Sequence, residues 1–354
     1  MHGRINEIRP LLISIAALAF GCSAPELSGQ KPAIGSLAVR NARLPGGASV
    51  ELLIRDGAIE YVGPRAPVAD RERDLGGKIV VPAVIDSHVH LAYWPVGNAL
   101  AESGVAGAVD LAAPLATLGR GDVRLRVAAS GPMITAARGY PTRSWGADGY
   151  GLEVADAAGA TNAVAALANR GADVIKVALG SDGLGRGELE AVVAAARARG
   201  LKVAAHALSA ADVALAADAG VEILAHTPIE PIGSELAARW RGRYVITTLA
   251  AFAPLAAAAN LRRLLAAGAI AVYGTDLGNT RELGVSRSEI AAMTEAGMSP
   301  RAIIESMTTT PAKLWGWHDL GAIEPRRRTP LLVLDRDPLE DPMALASAVE
   351  VLRE

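Results

Sequence analysis

Cysteine is nearly absent. The 354 residues contain one, Cys22, and a lone thiol excludes any disulfide within the chain. Aromatic side chains are scarce too, with five tryptophans, six tyrosines and two phenylalanines, so the alanine-rich helices must pack on small side chains. Charge of one sign is not in excess: the formal charge is −2. No basic patch interleaved with aromatic residues appears, so the footprint of a nucleic-acid partner is missing. Histidine is also rare, at six residues, which makes the position of each one informative. About half of the chain, 51%, is apolar, enough to bury one large core and a smaller one.

The amino-terminal segment stands apart. Arg4 and Arg9 precede an apolar stretch from Leu11 to Phe20, followed by Gly21 and Cys22. Such a stretch is too short for a permanent membrane span but suits the core of a secretory signal. It resembles a bacterial lipoprotein signal, in which the cysteine carries the lipid, although Ala19 and Phe20 depart from the usual residues there. Residues 1–22 are therefore expected to be a signal peptide of lipoprotein type and 23–33 a tether. The protein is expected to be exported to the bacterial cell envelope or periplasm, touching the membrane only through an anchor at Cys22. A plain signal peptide with an incidental Cys22 is the alternative.

Residues 34–79 and 320–354 read as short strands broken by turns. They include 36–44, 49–55, 58–62, 329–335 and 348–352, with a strong hairpin signal at Asp56-Gly57. Neither block buries a core alone, so the two ends are expected to build one small β-domain around an inserted domain, 80–319. Within the insert, apolar strands near 79–88, 105–111, 124–129, 173–179, 201–206, 221–226, 243–248 and 269–275 alternate with helices. Those helices include 156–170, 187–200, 210–219 and 255–267. The expected fold class is α/β: a (β/α)8 TIM barrel with a small β-sandwich made by both chain ends. An open doubly wound sheet is the alternative, but no glycine-rich dinucleotide loop follows the first strand. The glycine-rich run Gly180 to Gly187 lacks the Lys-Ser/Thr of a phosphate-binding loop.

The first strand ends in His88-Val89-His90. At a spacing of two, both imidazoles point to one side of a strand, and paired nitrogen donors on a rigid element suit a zinc-like metal. Lys176 lies in the fourth strand, His206 and His226 close the fifth and sixth, and Asp276 follows the eighth. All are at carboxyl ends of strands, the face on which a barrel gathers its chemistry. Each alone is equally an ordinary hydrogen-bonded side chain or helix cap. The loop after the third strand carries Tyr140, Arg143 and Trp145, and Trp94 and Arg281 follow the first and eighth strands. Arg143 or Arg281 could grip a substrate carboxylate, a solvated loop charge being the equal alternative for each, and Tyr93, Trp94 and Trp145 could wall the site or simply cover the barrel rim. His318 is a weaker catalytic candidate near the last helical segment.

The set resembles the amidohydrolase superfamily of metal-dependent hydrolases, in its imidazolonepropionase-like and prolidase-like branch. The resemblance rests on Asp86-Ser-His-Val-His-Leu91, Thr310-Pro-Ala-Lys-Leu-Trp-Gly316, Gly321-Ala-Ile-Glu324 and Leu331-Leu-Val-Leu-Asp335. It departs at Pro325-Arg-Arg-Arg-Thr-Pro330, where relatives have a Gly-Lys-x-Ala-Asp run, and at Tyr140, where many carry histidine. The resemblance implies two divalent metal ions, zinc being the expected element, with iron, cobalt and manganese left open. It further implies His88, His90 and Asp276 on one ion, His206 and His226 on the other, and Lys176, carboxylated by carbon dioxide, between them. Asp276 would be general base and acid, and the substrate a small-molecule amide: an N-acyl amino acid, a dipeptide or a cyclic amide. A mononuclear cyclic-amide or ester hydrolase, and a non-catalytic metal-stabilised binding protein, are the rival readings. Oligomeric state is left open.

Overall fold

In the computed structural model, residues 35–119, 124–252 and 255–353 are described. The expected signal segment, Cys22 and the tether lie outside the described residues. The chain ends supply β1 (Leu37–Arg43), β2 (Ser49–Arg55), β3 (Ala58–Gly63), β4 (Arg71–Asp74) and β5 (Ile79–Pro82). The central region supplies β6 (Val84–Val89), β7 (Val105–Asp110), β8 (Arg126–Ala129), β9 (Met133–Ala136), β10 (Gly151–Val154) and β11 (Ile175–Ala178). It continues with β12 (Val203–His206), β13 (Ile223–Leu224), β14 (Tyr244–Ile246) and β15 (Ile270–Val272), before β16 (Leu331–Leu334) and β17 (Glu350–Leu352) return to the end sheet. The fold is mixed α/β with parallel central sheets.

The end sheet runs β17-β16-β5-β1-β2-β3, with β4 on β1. Its hairpin between β2 and β3 turns at Asp56 and Gly57, both left-handed at φ 50° and 72°, the pairing that a two-residue turn between twisted strands requires. Alternation along β5 and β16 serves two cores. Val80, Leu331 and Val333 join Val39, Leu52 and Ile54 on one face. Ile79, Val81, Leu332 and Leu334 face the large core of the central region, as a period of two dictates.

The strand expected over 79–88 is in fact two. β5 pairs antiparallel with β16, and β6 pairs parallel with β7. The change of partner follows Pro82-Ala83: Pro82 has no N–H to extend a ladder, the Ala83 N–H makes the last bond on the β16 side at the Pro330 carbonyl, and the Val84 N–H turns to the Gly104 carbonyl. Beyond it, β6, β7 and β8 form one parallel set, and β9 to β15 another in the order β10-β9-β11-β12-β13-β14-β15. Backbone hydrogen bonds link the sets at both margins. Asp173 N–H donates to Ala129 O at 2.9 Å, and Ser87 N–H to Tyr273 O at 3.0 Å. The β9 and β10 strands were not foreseen; they are parallel to each other, and the excursion between them carries Tyr140 and Trp145.

Four of the expected helices form at Ala157–Asn169, Arg186–Arg197, Ala210–Ala219 and Leu255–Ala266. Asp156 caps the first by accepting from Gly159 N, and Ser209 with Asp212 makes a reciprocal capping box on the third. Among the described residues, no helix is long and apolar enough to cross a membrane.

Candidate metal centre

Strand ends bring His88, His90 and Asp276 together, with one ligand atom of each within 4.8 Å of the others. His90 Nε2 is 2.9 Å and His88 Nε2 3.5 Å from Asp276 Oδ1. All three are buried. The proximity depends on the segment after β15 lying against the end of β6. Asp276 N–H donates to His88 O at 2.8 Å, and His90 N–H to Leu277 O at 2.6 Å. Two glycines permit the approach: a Cβ at Gly274 would meet the Ile246 side chain at 2.4 Å, and one at Gly278 would meet His90 Cβ at 2.7 Å. Asp276 itself is left-handed at φ 57°, a conformation that aspartate tolerates better than most residues.

The remaining candidates close the group. The His88 ring centroid is 4.5 Å from that of His226, which is 4.8 Å from that of His206. Lys176 is fully buried, and its Nζ has no hydrogen-bond partner; His88 Nε2 is likewise unpartnered. Burial, and then the neighbouring Lys176, hold the His88 pKa well below the ordinary histidine value. Burial dominates for His226 too, with His88 adding to it. Burial and Lys176 lower His206 to about 3. His206 keeps partial solvent contact. Burial pulls Lys176 down to about 7, against the opposing pull of Asp276. Burial would raise Asp276, but His88, His90 and Lys176 outweigh it and hold the carboxyl below its usual range.

The donor set fits divalent metal. Buried neutral imidazoles and an ionised carboxylate are what such ions bind, and a buried nitrogen lone pair with no hydrogen-bonding partner is costly unless something occupies it. His88 Nδ1 faces the Ala225 carbonyl at 2.8 Å. A carbonyl only accepts, so Nδ1 carries the proton and Nε2 presents its lone pair to the site. His226 Nδ1 is similarly held by Thr248 Oγ1 at 3.0 Å.

Several bracing residues escaped the sequence reading. Asp86 accepts from Thr275 Oγ1 at 2.6 Å, and from the Thr275 and His88 N–H groups at 3.1 Å each. It thereby ties the first strand to the eighth; burial raises its pKa to about 7. Asp110 accepts from Ala92 N–H at 3.0 Å just beyond His90. Glu289 accepts from the N–H groups of Leu249 and Ala250 at 3.0 and 2.8 Å, fixing the loop that carries Thr248. The visible signal for Asp86 was a carboxylate inside an otherwise apolar strand; Asp110 and Glu289 gave no comparable signal.

Tyr140 stacks on His206, with centroids 4.7 Å apart, and accepts a hydrogen bond from Trp145 Nε1 at 2.8 Å. Trp145 stands 4.9 Å from His90. Trp94 packs instead beneath Arg281, at 4.8 Å. Arg143 is exposed. His318 is exposed as well, in a cavity with Gly200, Lys202 and Lys313. Gly200 and Lys202 precede β12, so this cavity lies at the opposite strand ends from the histidine cluster.

Comparison with known proteins places these features in a wider set. The sequence profile of the amidohydrolase family matches residues 256–353. An imidazolonepropionase from Deinococcus radiodurans is 26% identical over 342 residues, covering 80% of this chain and 85% of its own. A Xaa-Pro dipeptidase crystallised with methionine in its active site has a similar fold, at a TM-score of 0.77 and 21% identity, over 90% of this chain and 98% of that one. Phenylurea hydrolase B is similar at a TM-score of 0.72 and 21% identity, over 90% and 95%.

Proposed function

Because this chain belongs to the amidohydrolase superfamily and is a hydrolase of carbon–nitrogen bonds, we propose that it cleaves an amide in a small molecule by metal-activated water. The candidate substrates are an N-acyl amino acid, a dipeptide or a cyclic amide. In this reading the eight parallel strands β6, β7, β8 and β11 to β15 form a closed (β/α)8 barrel, with the sheet of the chain ends wrapped into a small sandwich. The amino-terminal segment directs export, with Cys22 as lipid anchor. The observation that carries the reading is the convergence of His88, His90, Lys176, His206, His226 and Asp276 at one set of strand ends, with His88 Nε2 and Lys176 Nζ buried and unpartnered.

His88, His90 and Asp276 would hold one divalent ion, and His206 and His226 a second. An ammonium between two cations is repelled. With its pKa lowered to about 7, Lys176 instead offers a neutral amine whose nitrogen could add to carbon dioxide and lose a proton, and the resulting anionic carbamate would supply oxygen ligands. When bound, the ions supply a water ionised near neutrality and polarisation of the scissile carbonyl. The chain's own residues do the rest. Asp276 accepts the proton of the attacking water and returns it to the leaving nitrogen. Conversion of Lys176 to an anion removes one of the charges that depress Asp276 and so raises its basicity. The Tyr140 hydroxyl accepts from Trp145, leaving its own proton free to donate toward a developing oxyanion.

One observation favours a single ion: among the described residues, only His88, His90 and Asp276 form a compact ligand triad. Metal analysis, with mass spectrometry of the Lys176 peptide under native conditions, decides between the two. Two ions per chain and a carboxylated lysine are expected. An unmodified Lys176 in metal-replete protein overturns the binuclear centre. Metal-replete protein that hydrolyses no amide, lactam or ester in a broad panel overturns the hydrolytic reading in favour of a binding protein.

A further inference from the structure

In a chain poor in aromatic residues, five of them gather beside this centre. Trp145 lies 5.4 Å from Tyr93 and 5.5 Å from Tyr150, ring to ring, as well as close to His90 and Tyr140. Phe252 completes the group, its ring centroid 4.9 Å from that of His226. Tyr93 and Trp94 are fixed one turn beyond His90, their N–H groups bonding its carbonyl at 3.1 and 2.9 Å. Arg281, exposed like Arg143, follows Asp276 along the chain. The turn after Asp276 is closed by Thr280 N–H on the Asp276 carbonyl at 2.9 Å. It sets the next residue's guanidinium over both rings, 4.8 Å from the Trp94 centroid and 5.7 Å from that of Tyr93.

Arg281 forms no hydrogen bond or ion pair with a carboxylate among the described residues, unlike Arg40, Arg73, Arg126 and Arg239. Its neighbour Glu282 is committed elsewhere, accepting from Ser286 Oγ at 2.6 Å and from Arg287 N–H at 2.7 Å. Asp110, whose carboxylate lies just beyond His90, is buried and holds Ala92 N–H. A guanidinium laid on aromatic faces keeps its charge and its planar donor fork while losing conformational freedom. Such a fork, with no internal anion to satisfy it, is matched to a carboxylate.

We propose that Arg281 is the carboxylate anchor of the substrate site, so that the scissile amide belongs to an acid. This rests on the hydrolytic reading above and narrows it. The substrate is an N-acyl amino acid or dipeptide with a free carboxylate at Arg281 and its side chain along Trp145 and Tyr93. A neutral cyclic amide or ester leaves the guanidinium unused.

The test pairs N-acetyl-L-amino acids, phenylalanine and leucine among them, with the matching N-acetyl-L-amino alcohols, which keep the amide and lack the carboxylate. Wild-type enzyme should favour the acids by about 100-fold or more in kcat/KM, as expected where a site built for a polar group meets an analogue lacking it. Arg281→Met should abolish that preference through KM, leaving the alcohols within about threefold of wild type, and Arg281→Lys should fall between. Equal use of acids and alcohols by the wild type, or equal losses on both in Arg281→Met, overturns the anchor. If the wild type turns over neither set, calorimetric titration of metal-loaded protein with the acids decides independently. Binding that weakens about 30-fold or more in Arg281→Met supports the anchor even as the hydrolytic reading fails, whereas unchanged or absent binding overturns it.

Discussion

The two halves of the centre are built differently. His88, His90 and Asp276 form a triad locked from behind: Asp86 spans β6 and Thr275, Ala225 orients His88, and backbone hydrogen bonds pin Asp276 and His90 across the strand ends. Lys176, His206 and His226 sit opposite with less support. Lys176 Nζ has no partner, His206 is held chiefly by the Tyr140 ring, and His226 leans on Thr248 and on Phe252 at 4.9 Å. One half is preassembled; the other holds a buried amine with no hydrogen-bond partner. Under the binuclear reading proposed above, the first half would set where a metal binds, and the chemical form of Lys176 would govern whether a second joins it.

The largest expected effect comes from breaking the preassembled half at its one acid. Asp276→Asn should lower kcat by about 10³-fold or more, since it removes both a ligand and the proton carrier, while far-ultraviolet circular dichroism stays unchanged. Lys176→Met tests the other half in two ways. Metal content should fall from two ions to one per chain. The metal-free variant should also be more stable than metal-free wild type by about 1–3 kcal/mol in chemical unfolding, because a buried amine without a hydrogen-bond partner is replaced by an apolar chain of similar length. A metal-free variant that is less stable would mean that Lys176 already has an anionic partner.

Loosening the braces should cost less. Asp86→Asn and Thr248→Val should each weaken metal affinity by about 10–100-fold, with Asp86→Asn acting on the tighter site and Thr248→Val on the weaker. Competition with a chelator separates the two. The smallest effect concerns Glu289, whose pKa burial raises to about 7. A carboxyl raised in the folded state favours folding most below its unfolded pKa, about 4.3, and loses that advantage as pH rises toward 7. Wild type should therefore lose stability relative to Glu289→Gln between pH 5 and 7, by at most about 1.4 kcal/mol per pH unit. A constant difference across that range would show that the carboxyl is ionised throughout.

Much of the fold was legible because its signals are local. Apolar strands bounded by turns, alanine-rich helices ending at Gly171, Gly200, Gly220 and Gly268, and the Asp56-Gly57 hairpin each depend on a few adjacent residues. All four helix-end glycines have positive φ, as a left-handed cap requires. The split of 79–88 at Pro82-Ala83 was less legible, because it depends on where residues about 250 positions later return to the sheet. Tyr140 and Trp145 were legible as loop aromatics, but not the short β9 and β10 strands that frame them.

The sequence by itself determined that His88 and His90 share one side of a strand, that His206 and His226 close other strands of the same kind, and that Lys176 lies within one and Asp276 beyond another. These follow from the two-residue period and from order along the chain. Tertiary structure alone decided the rest: that Asp276 reaches the two histidines, that Asp86 meets Thr275 across 189 residues, that Arg281 settles on Trp94, and that His318 lies at the far end. These depend on which strand ends become neighbours and how closely glycine lets them approach. No local pattern encodes a contact between segments that only the folded core brings together.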